Sequence, residues 1–356
     1  MTPPSRDELE ARLTYPLGDQ LPAPGQVLDV APGVRWLRMG LPFELNHINL
    51  WLLRDRHEGR EGWMIVDCGI TSDDTHQRWS EVFDSALDGL PVLRVLVTHM
   101  HPDHIGTAKW LCDRWDAPLY ISATDYNVAR LNSGTTLGFG GEAAASFFAS
   151  HGLRDQEAVD QVRNRRSYYP NMVPGVPDAY FRLLDGMALT IGDHVWHCIS
   201  GYGHAPEHIA LHCPSLNVLI SGDMVLPRIS TNVSVFHMEP ESDPLALFLG
   251  SLERYRPLAA DTLVLPSHGK PFTGLHERLD QLHDHHRERL EELLEFCREQ
   301  PRTAHDALGL LFKRELDLHQ TTFAMGESVA HLHRLWRNGQ LTRNCDEQGV
   351  YRFSVA

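Results

Sequence analysis

The chain has 356 residues, is 42% hydrophobic and carries a formal net charge of -15. That length suits one large domain with an appendage, or two domains, and a chain of this size buries about three quarters of its unfolded surface. The acidic balance argues against a general nucleic-acid or anionic-membrane binder, and no apolar stretch approaches the roughly 20 residues of a membrane helix.

Residues 1–25 are rich in proline and charge and read as an extended arm, with neither the basic start nor the apolar run of a secretory signal. Strand-like runs follow at 34–39, 48–53 and 63–66, the last leaving through Asp67-Cys68-Gly69. Over 73–87, Trp79, Val82, Phe83 and Leu87 keep helical spacing behind Ser72 or Asp73 as N-cap. An apolar, β-branched run at 92–97 predicts a buried strand, and 105–115 reads as a helix. A short strand at 118–122 and a helix at 123–131 come next.

Residues 132–182 break this rhythm. Gly134, Gly138, Gly140 and Gly141 precede two expected helices dense in aromatics, among them Phe139, Phe147, Phe148, Tyr168 and Tyr169. The segment reads as an insertion, either a helical pair packing its aromatics inward or a lid over a pocket. Strands resume at 195–199, 209–212 and 218–220. A helix at 244–255, a strand at 262–265 and a charged helix at 275–298 follow. Residues 301–356 predict one helix, a second over 327–337 stopped by Gly339, and strands around Leu341 and 351–353. Two groups of strands interleaved with helices predict an α/β protein, a four-layer αββα sandwich of two mixed sheets. The expected divisions are an arm (1–25), a main domain (26–274) carrying the insertion, and a long helix plus tail (275–356). Six widely spaced cysteines without a CxxC pair read as reduced thiols, which favours the cytoplasm.

The chemistry concentrates where predicted strands end. The run Thr98-His99-Met100-His101-Pro102-Asp103-His104 packs three imidazoles and a carboxylate into a strand-to-helix loop. Imidazole is the commonest metal ligand, and an adjacent carboxylate suits a divalent ion or a hydroxide-activating base. With 22 histidines in the chain, a short cluster can arise by chance. Three later strand ends repeat the signature: Gly203-His204-Ala205-Pro206-Glu207-His208, Ser221-Gly222-Asp223 and Ser267-His268-Gly269. Each places glycine beside the polar residue, which allows close backbone approach.

Taken together, HMHPDH, GHAPEH, SGD and SHG resemble the metallo-β-lactamase-fold hydrolase superfamily over roughly 34–272. The resemblance implies two divalent ions, zinc first, with iron or manganese as alternatives. His99, His101 and His204 would hold one ion, Asp103, His104 and His268 the other, and Asp223 would bridge. Asp67 would support the site by hydrogen bonds, and His208 would not be a ligand. Aspartate at 223, where the best-known secreted zinc β-lactamases carry cysteine, turns the expectation away from antibiotic hydrolysis. It points to the glyoxalase II, lactonase, thioesterase and phosphodiesterase branches. A metal-bridging hydroxide would attack a small ester, thioester or lactone, with Asp103 as the catalytic residue that orients it or takes its proton. A phosphodiesterase or endoribonuclease using the same ions, and a one-iron persulfide dioxygenase, are the alternatives.

The tail is similar in pattern to the small winged-helix tail of some superfamily members. Its seven Lys and Arg against six Asp and Glu make a poor nucleic-acid footprint, so packing or homodimerisation is the expected role. A small-molecule substrate is the expected partner, with neither membrane nor nucleic acid. Lys270 and the Arg165-Arg166 pair could meet an anionic group, though solvated surface charge is the simpler account. His283, Asp284, His285 and His286 diverge around one helix and read as a solvated face.

Overall fold

A computed structural model describes residues 5–134, 140–165, 168–313 and 315–356. Gly138, Phe139 and Arg166, singled out above, and Arg314, one of the seven basic residues counted in the tail, lie outside the described residues.

Seven strands form the first sheet in chain order: β1 (Leu28–Ala31), β2 (Val34–Gly40), β3 (His47–His57), β4 (Arg60–Val66), β5 (Val92–Leu96), β6 (Leu119–Ser122) and β7 (Phe181–Leu183). β1 to β4 pair antiparallel and β4 to β7 parallel. The second sheet runs in the order β12-β11-β10-β9-β8, from β8 (Ala188–Ile191), β9 (His194–Gly201), β10 (His208–Cys213), β11 (Val218–Gly222) and β12 (Leu263–Pro266). Only its β11–β12 pairing is parallel.

Strand side chains alternate between faces, so each sheet feeds two apolar layers. In β3, Trp51 and Leu53 point into the layer between the sheets, where they join Trp36, Trp196, Ile209 and Leu211. Leu50 and Leu52 point the other way, toward helices. Burial on both faces explains why these strands read as continuous apolar runs rather than alternating ones.

Flanking helices complete the four layers. α1 (Arg6–Glu10) opens the chain behind a Ser5–Glu8 capping box. On the first sheet, α2 (Asp73–Ser85) contributes Trp79 and Val82. The expected 105–115 helix is two pieces, α3 (Pro102–Ile105) and α4 (Ala108–Trp115). The break falls at Gly106, where a Cβ would lie about 2.6 Å from the Gly69 oxygen and Ile70 Cα. The chain after β4 runs so close that Thr107 takes its hydrogen bonds there, to the Gly69 and Cys68 carbonyls.

α5 (Ala123–Gly134) leads to the insertion, which holds α6 (Gly141–Ser150), α7 (Gln156–Asn164) and a turn, α8 (Tyr169–Met172). Phe147, Phe148 and Tyr169 are buried. Against the second sheet lie α9 (Pro244–Leu252) and α10 (Leu275–Glu299), whose Phe248, Leu279 and Leu282 share one apolar cluster with Ala210, Leu219 and Val264. That cluster continues into α11 (Leu308–Leu311), α12 (Leu318–Arg337) and the hairpin β13 (Leu341–Cys345) with β14 (Tyr351–Val355), ending at Phe353. α12 starts nine residues before the expected 327, at an Asp317–Gln320 capping box. The six cysteines are free, and Cys345 is exposed. No described helix is long and apolar enough to cross a membrane.

The solvated-face expectation for 283–286 is wrong for His286. That ring is buried and stacks against α12, its Nδ1 standing 3.2 Å from His331 Nε2. Its neighbours on the same turn, Asp284 and Arg287, do face solvent and pair with each other.

Candidate metal centre

All four motif loops leave the same end of the sandwich. Asp67 follows β4 with a left-handed φ of 61°, a conformation unusual outside glycine. This turns its buried carboxylate back to accept the Thr98 amide and His104 Nδ1–H, both at 2.8 Å. Asp125 at the start of α5 accepts the Met100 amide with one oxygen and the Glu207 amide with the other, at 2.8 and 2.6 Å. It thereby ties the His99–His104 loop to the loop that carries His204. Burial raises the Asp125 carboxyl to about 6, against the pull of those backbone donors.

The glycines beside the motif residues have steric reasons. Gly203 (φ 97°) lies where a Cβ would strike the Pro244 oxygen and Phe248 amide at the start of α9. At Gly222 (φ 53°) a Cβ would sit 2.0 Å from His208 Nε2. His208 stays behind the site, its Nε2 accepting the Asp223 amide at 3.2 Å. β3 braces the last loop: Asn49 Nδ2 donates to the Pro266 and Gly269 carbonyls, and the His47 carbonyl accepts His268 Nδ1–H at 2.8 Å.

The structure brings the seven expected ligand side chains into two adjoining groups, His99, His101, His204 and Asp223, and Asp103, His104 and His268. In the first, His99 Nε2, His101 Nδ1 and His204 Nε2 stand 2.9, 3.0 and 3.2 Å from one another, with Asp223 Oδ2 3.2 Å from His204 Nε2. In the second, Asp103 Oδ2 is 3.6 Å from His104 Nε2 and 3.4 Å from His268 Nε2. Asp223 Oδ1 is 3.5 Å from both nitrogens. Donors held ~2.0–2.1 Å from one ion lie about 2.9 Å apart at right angles and about 3.3 Å apart at the tetrahedral angle; the first group's spacings fall in this range and the second group's 3.4–3.6 Å are slightly wider.

Tautomers strengthen the fit. His104, His204 and His268 each donate from Nδ1, to Asp67, the Asn232 carbonyl and the His47 carbonyl. His99 Nδ1 donates to Thr98 Oγ1 at 3.0 Å, because that hydroxyl spends its own proton on Asp67. Four imidazoles therefore turn Nε2 toward a common region, where among the described residues His104 Nε2 and Asp223 Oδ1 have no hydrogen-bond partner. Nitrogens converging in this way need a positive charge among them, a proton or a metal ion.

The two groups differ electrostatically. Burial, reinforced by neighbouring imidazoles, holds His99 well below the ordinary histidine value and His101 at about 3. Burial also opposes charge on His104 and His268, but nearby carboxylates outweigh it: Asp67, Asp103 and Asp223 raise His104, and Asp223 and Asp103 raise His268 to about 10. Lys270 points away from this region to Asp19 at 2.7 Å. Arg165 is half-buried in a crevice between the insertion and α12, bonded to Thr322 Oγ1 at 3.2 Å. Asp125, Asn49 and Asn232 carry no local signature in the sequence: Asp125 and Asn49 act on backbone groups far along the chain, and the Asn232 carbonyl on the distant His204 ring.

Known proteins show the family to which this fold belongs. The family model described as metallo-beta-lactamase superfamily matches residues 44–268, and the metallo-beta-lactamase-like C-terminal domain matches 290–356. The chain is 54% identical to a beta-lactamase domain protein from Burkholderia ambifaria, covering 98% of this chain and 99% of that one, with a TM-score of 0.92. A probable metallo-hydrolase of Bacillus subtilis (strain 168) is 21% identical over 88% of this chain and 96% of its own length. A linear primary-alkylsulfatase of Pseudomonas sp. (strain ATCC 19151) is 25% identical over 70% of this chain and 45% of its own. The motif loops, the two-sheet sandwich that presents them and these matches lead to one conclusion: the chain belongs to the metallo-beta-lactamase superfamily.

Proposed function

We propose that this protein is a dinuclear metallohydrolase that cleaves a small ester, thioester or lactone. Asp223 carries the reading: its Oδ2 faces the first group of nitrogens and its Oδ1 the second, so one carboxylate spans both. His99, His101 and His204 would then hold one divalent ion and Asp103, His104 and His268 the other, with Asp223 shared between them. A nitrogen-rich set without thiolate suits zinc and also accepts iron or manganese. Such a pair, when bound, lowers the pKa of water toward ~7 and polarises a substrate oxygen.

The remaining steps belong to side chains. Asp103 keeps 19% of its side chain exposed, against 3% for His268 and 10% for Asp223. It is the carboxylate that meets incoming water, orients it and takes its proton. Asp67 and the His47 carbonyl keep His104 and His268 facing the centre while charge shifts. The crevice beside Arg165 has apolar walls in Phe148, Tyr168, Phe236 and Phe323, and its volume of about 20 Å³ holds no more than a water molecule. Burial raises the Tyr168 phenol to about 12, and the Asp103 carboxylate adds to the shift.

Metal quantification on the purified protein, then a panel of thioesters, lactones, alkyl sulfates and phosphodiesters, tests the reading. The expected result is two ions per chain and turnover of a carboxylic ester, thioester or lactone that Asp223→Ala abolishes. Full activity in that variant refutes the bridging role. One iron per chain would favour the oxygenase alternative, and turnover confined to phosphodiesters the nuclease.

A further inference from the structure

His204 takes its orientation from a segment with no secondary structure of its own. Its Nδ1–H donates to the Asn232 carbonyl at 2.8 Å, and Asn232 lies in the irregular stretch between β11 and α9. No strand ladder or helix holds that carbonyl in place. Burial of Val233 and Val235 and the Thr231 hydroxyl, which donates to the Asp223 carbonyl, hold the segment locally, and the C-terminal helix α12 adds a contact to the Asn232 side chain itself. Asn232 Nδ2 donates to Glu327 Oε2 at 3.0 Å, and Ser234 Oγ donates to Asn232 Oδ1 at 2.8 Å. Three residues beyond Asn232, the Val235 amide donates to the Gly326 carbonyl at 3.1 Å.

Gly326 lies inside α12, where glycine costs roughly 1 kcal/mol relative to alanine. The close approach explains it: a Cβ there would come within 2.9 Å of Ser234 Cβ and Oγ and 3.2 Å of the Val235 oxygen. α12 is itself anchored. His331 Nδ1–H donates to the Glu327 carbonyl at 2.9 Å, and His286 of α10 donates from Nδ1 to His331 Nε2. Burial depresses both rings, which stay neutral, as this donor–acceptor chain requires. The Glu327 side chain has no cation within 4 Å among the described residues, and burial raises its carboxyl to about 7.

We propose that Glu327 is a positioning residue for the His99–His101–His204 ion: α12 holds Asn232, and Asn232 holds His204. The C-terminal segment is then part of the support of one half of the metal centre rather than an independent appendage. The inference rests on the proposed ligand role of His204. It predicts an asymmetry, because the Asp103–His104–His268 group is braced by Asp67 and His47 and has no link to α12 through Asn232.

The test is Co2+ titration of the metal-free full chain, followed by visible absorption, for wild type, Glu327→Ala, Glu327→Gln, Asn232→Ala and the Glu327→Ala/Asn232→Ala double variant. Wild type should bind two ions. Glu327→Ala should weaken one binding step by roughly 10–100-fold and spare the other. Glu327→Gln should restore most of the loss, because its amide oxygen still accepts from Asn232. Asn232→Ala, which leaves α12 untouched and keeps the proposal testable if the Glu327 variants fold poorly, should weaken the same step, and the double variant should be no worse than the weaker single. A purely structural role would lower thermal stability and leave both affinities alone; that result, or equal weakening of both steps, overturns the proposal. A wild type that binds no ion overturns the ligand assignment as well, and the two failures are thereby distinct.

Discussion

Replacing His151 should uncouple part of the protein's stability from pH. This ring closes α6, sits 4.4 Å from Phe147 and 5.3 Å from Tyr351, and donates from Nδ1 to the Phe147 carbonyl at 2.8 Å. It is 1% exposed, and burial lowers its pKa to about 4, with His333 and Arg343 adding to the shift and the Phe147 carbonyl opposing it. An unfolded chain binds the same proton near ~6.5. Between these values the unfolded state takes up a proton that the native state refuses, so stability falls as pH falls through this window and is flat above it. Over about 2.5 pH units the loss approaches ~3 kcal/mol, a large share of a typical ~5–15 kcal/mol. In His151→Leu this loss disappears, at the cost of about 1 kcal/mol for the broken hydrogen bond. Urea unfolding of both proteins at pH 7.5, 6, 5 and 4.5 should show the variant less stable at pH 7.5 and more stable at pH 4.5. The difference between them should shift by about 2.5 kcal/mol in total. Other titrations, those of the proposed metal ligands included, are common to both proteins and cancel. Parallel stability curves across the whole range would refute the reasoning.

Other consequences are as direct. Asp67→Asn keeps the shape but removes the charge that orients His104, and should weaken metal binding by about 10–100-fold in a chelator competition; unchanged affinity would contradict the Asp67–His104 link. His268, raised to about 10 without an ion, is protonated at neutrality and must lose that proton to coordinate. His104 in the same group is raised by the same carboxylates, so with two ring protons to release affinity there should rise by up to about a hundredfold per pH unit between pH 7 and 9, with proton release visible in weakly buffered solution. Arg94 and Asp55 form a buried bidentate pair at 2.7 and 2.8 Å, at the bottom of the sandwich. Arg94→Met should cost roughly 3–5 kcal/mol in a denaturant melt, because the Asp55 charge stays buried without its partner.

The two sheets and the four motif loops were legible in the order of residues because their signals are local. An apolar run buried on both faces declares a strand within five or six residues, and ligand chemistry is compressed into His99–His104 or set beside a glycine at a strand end. The edge strands β1, β7 and β8 were not legible. They are short and partly exposed, and pairing with a neighbour rather than their own pattern makes them strands. The early start of α12 was hidden as well, since Gly326 and the Thr321-Thr322 pair dilute its helical signal.

Tertiary structure alone decided how the ligands are held. Asp125, Asn49, Asn232 and Glu327 each act on a group distant in sequence, Asn232 across 95 residues to Glu327, and a lone polar residue in a loop looks the same whether it meets water or a metal ligand's neighbour. His286 makes the same point. The charged residues around it suggest a wet helix face, but a helix presents every side to something, and only the docking of α12 determines which side is dry. Local chemistry identified the donors; their orientation, tautomers and grouping follow from contacts that exist only once the chain has folded.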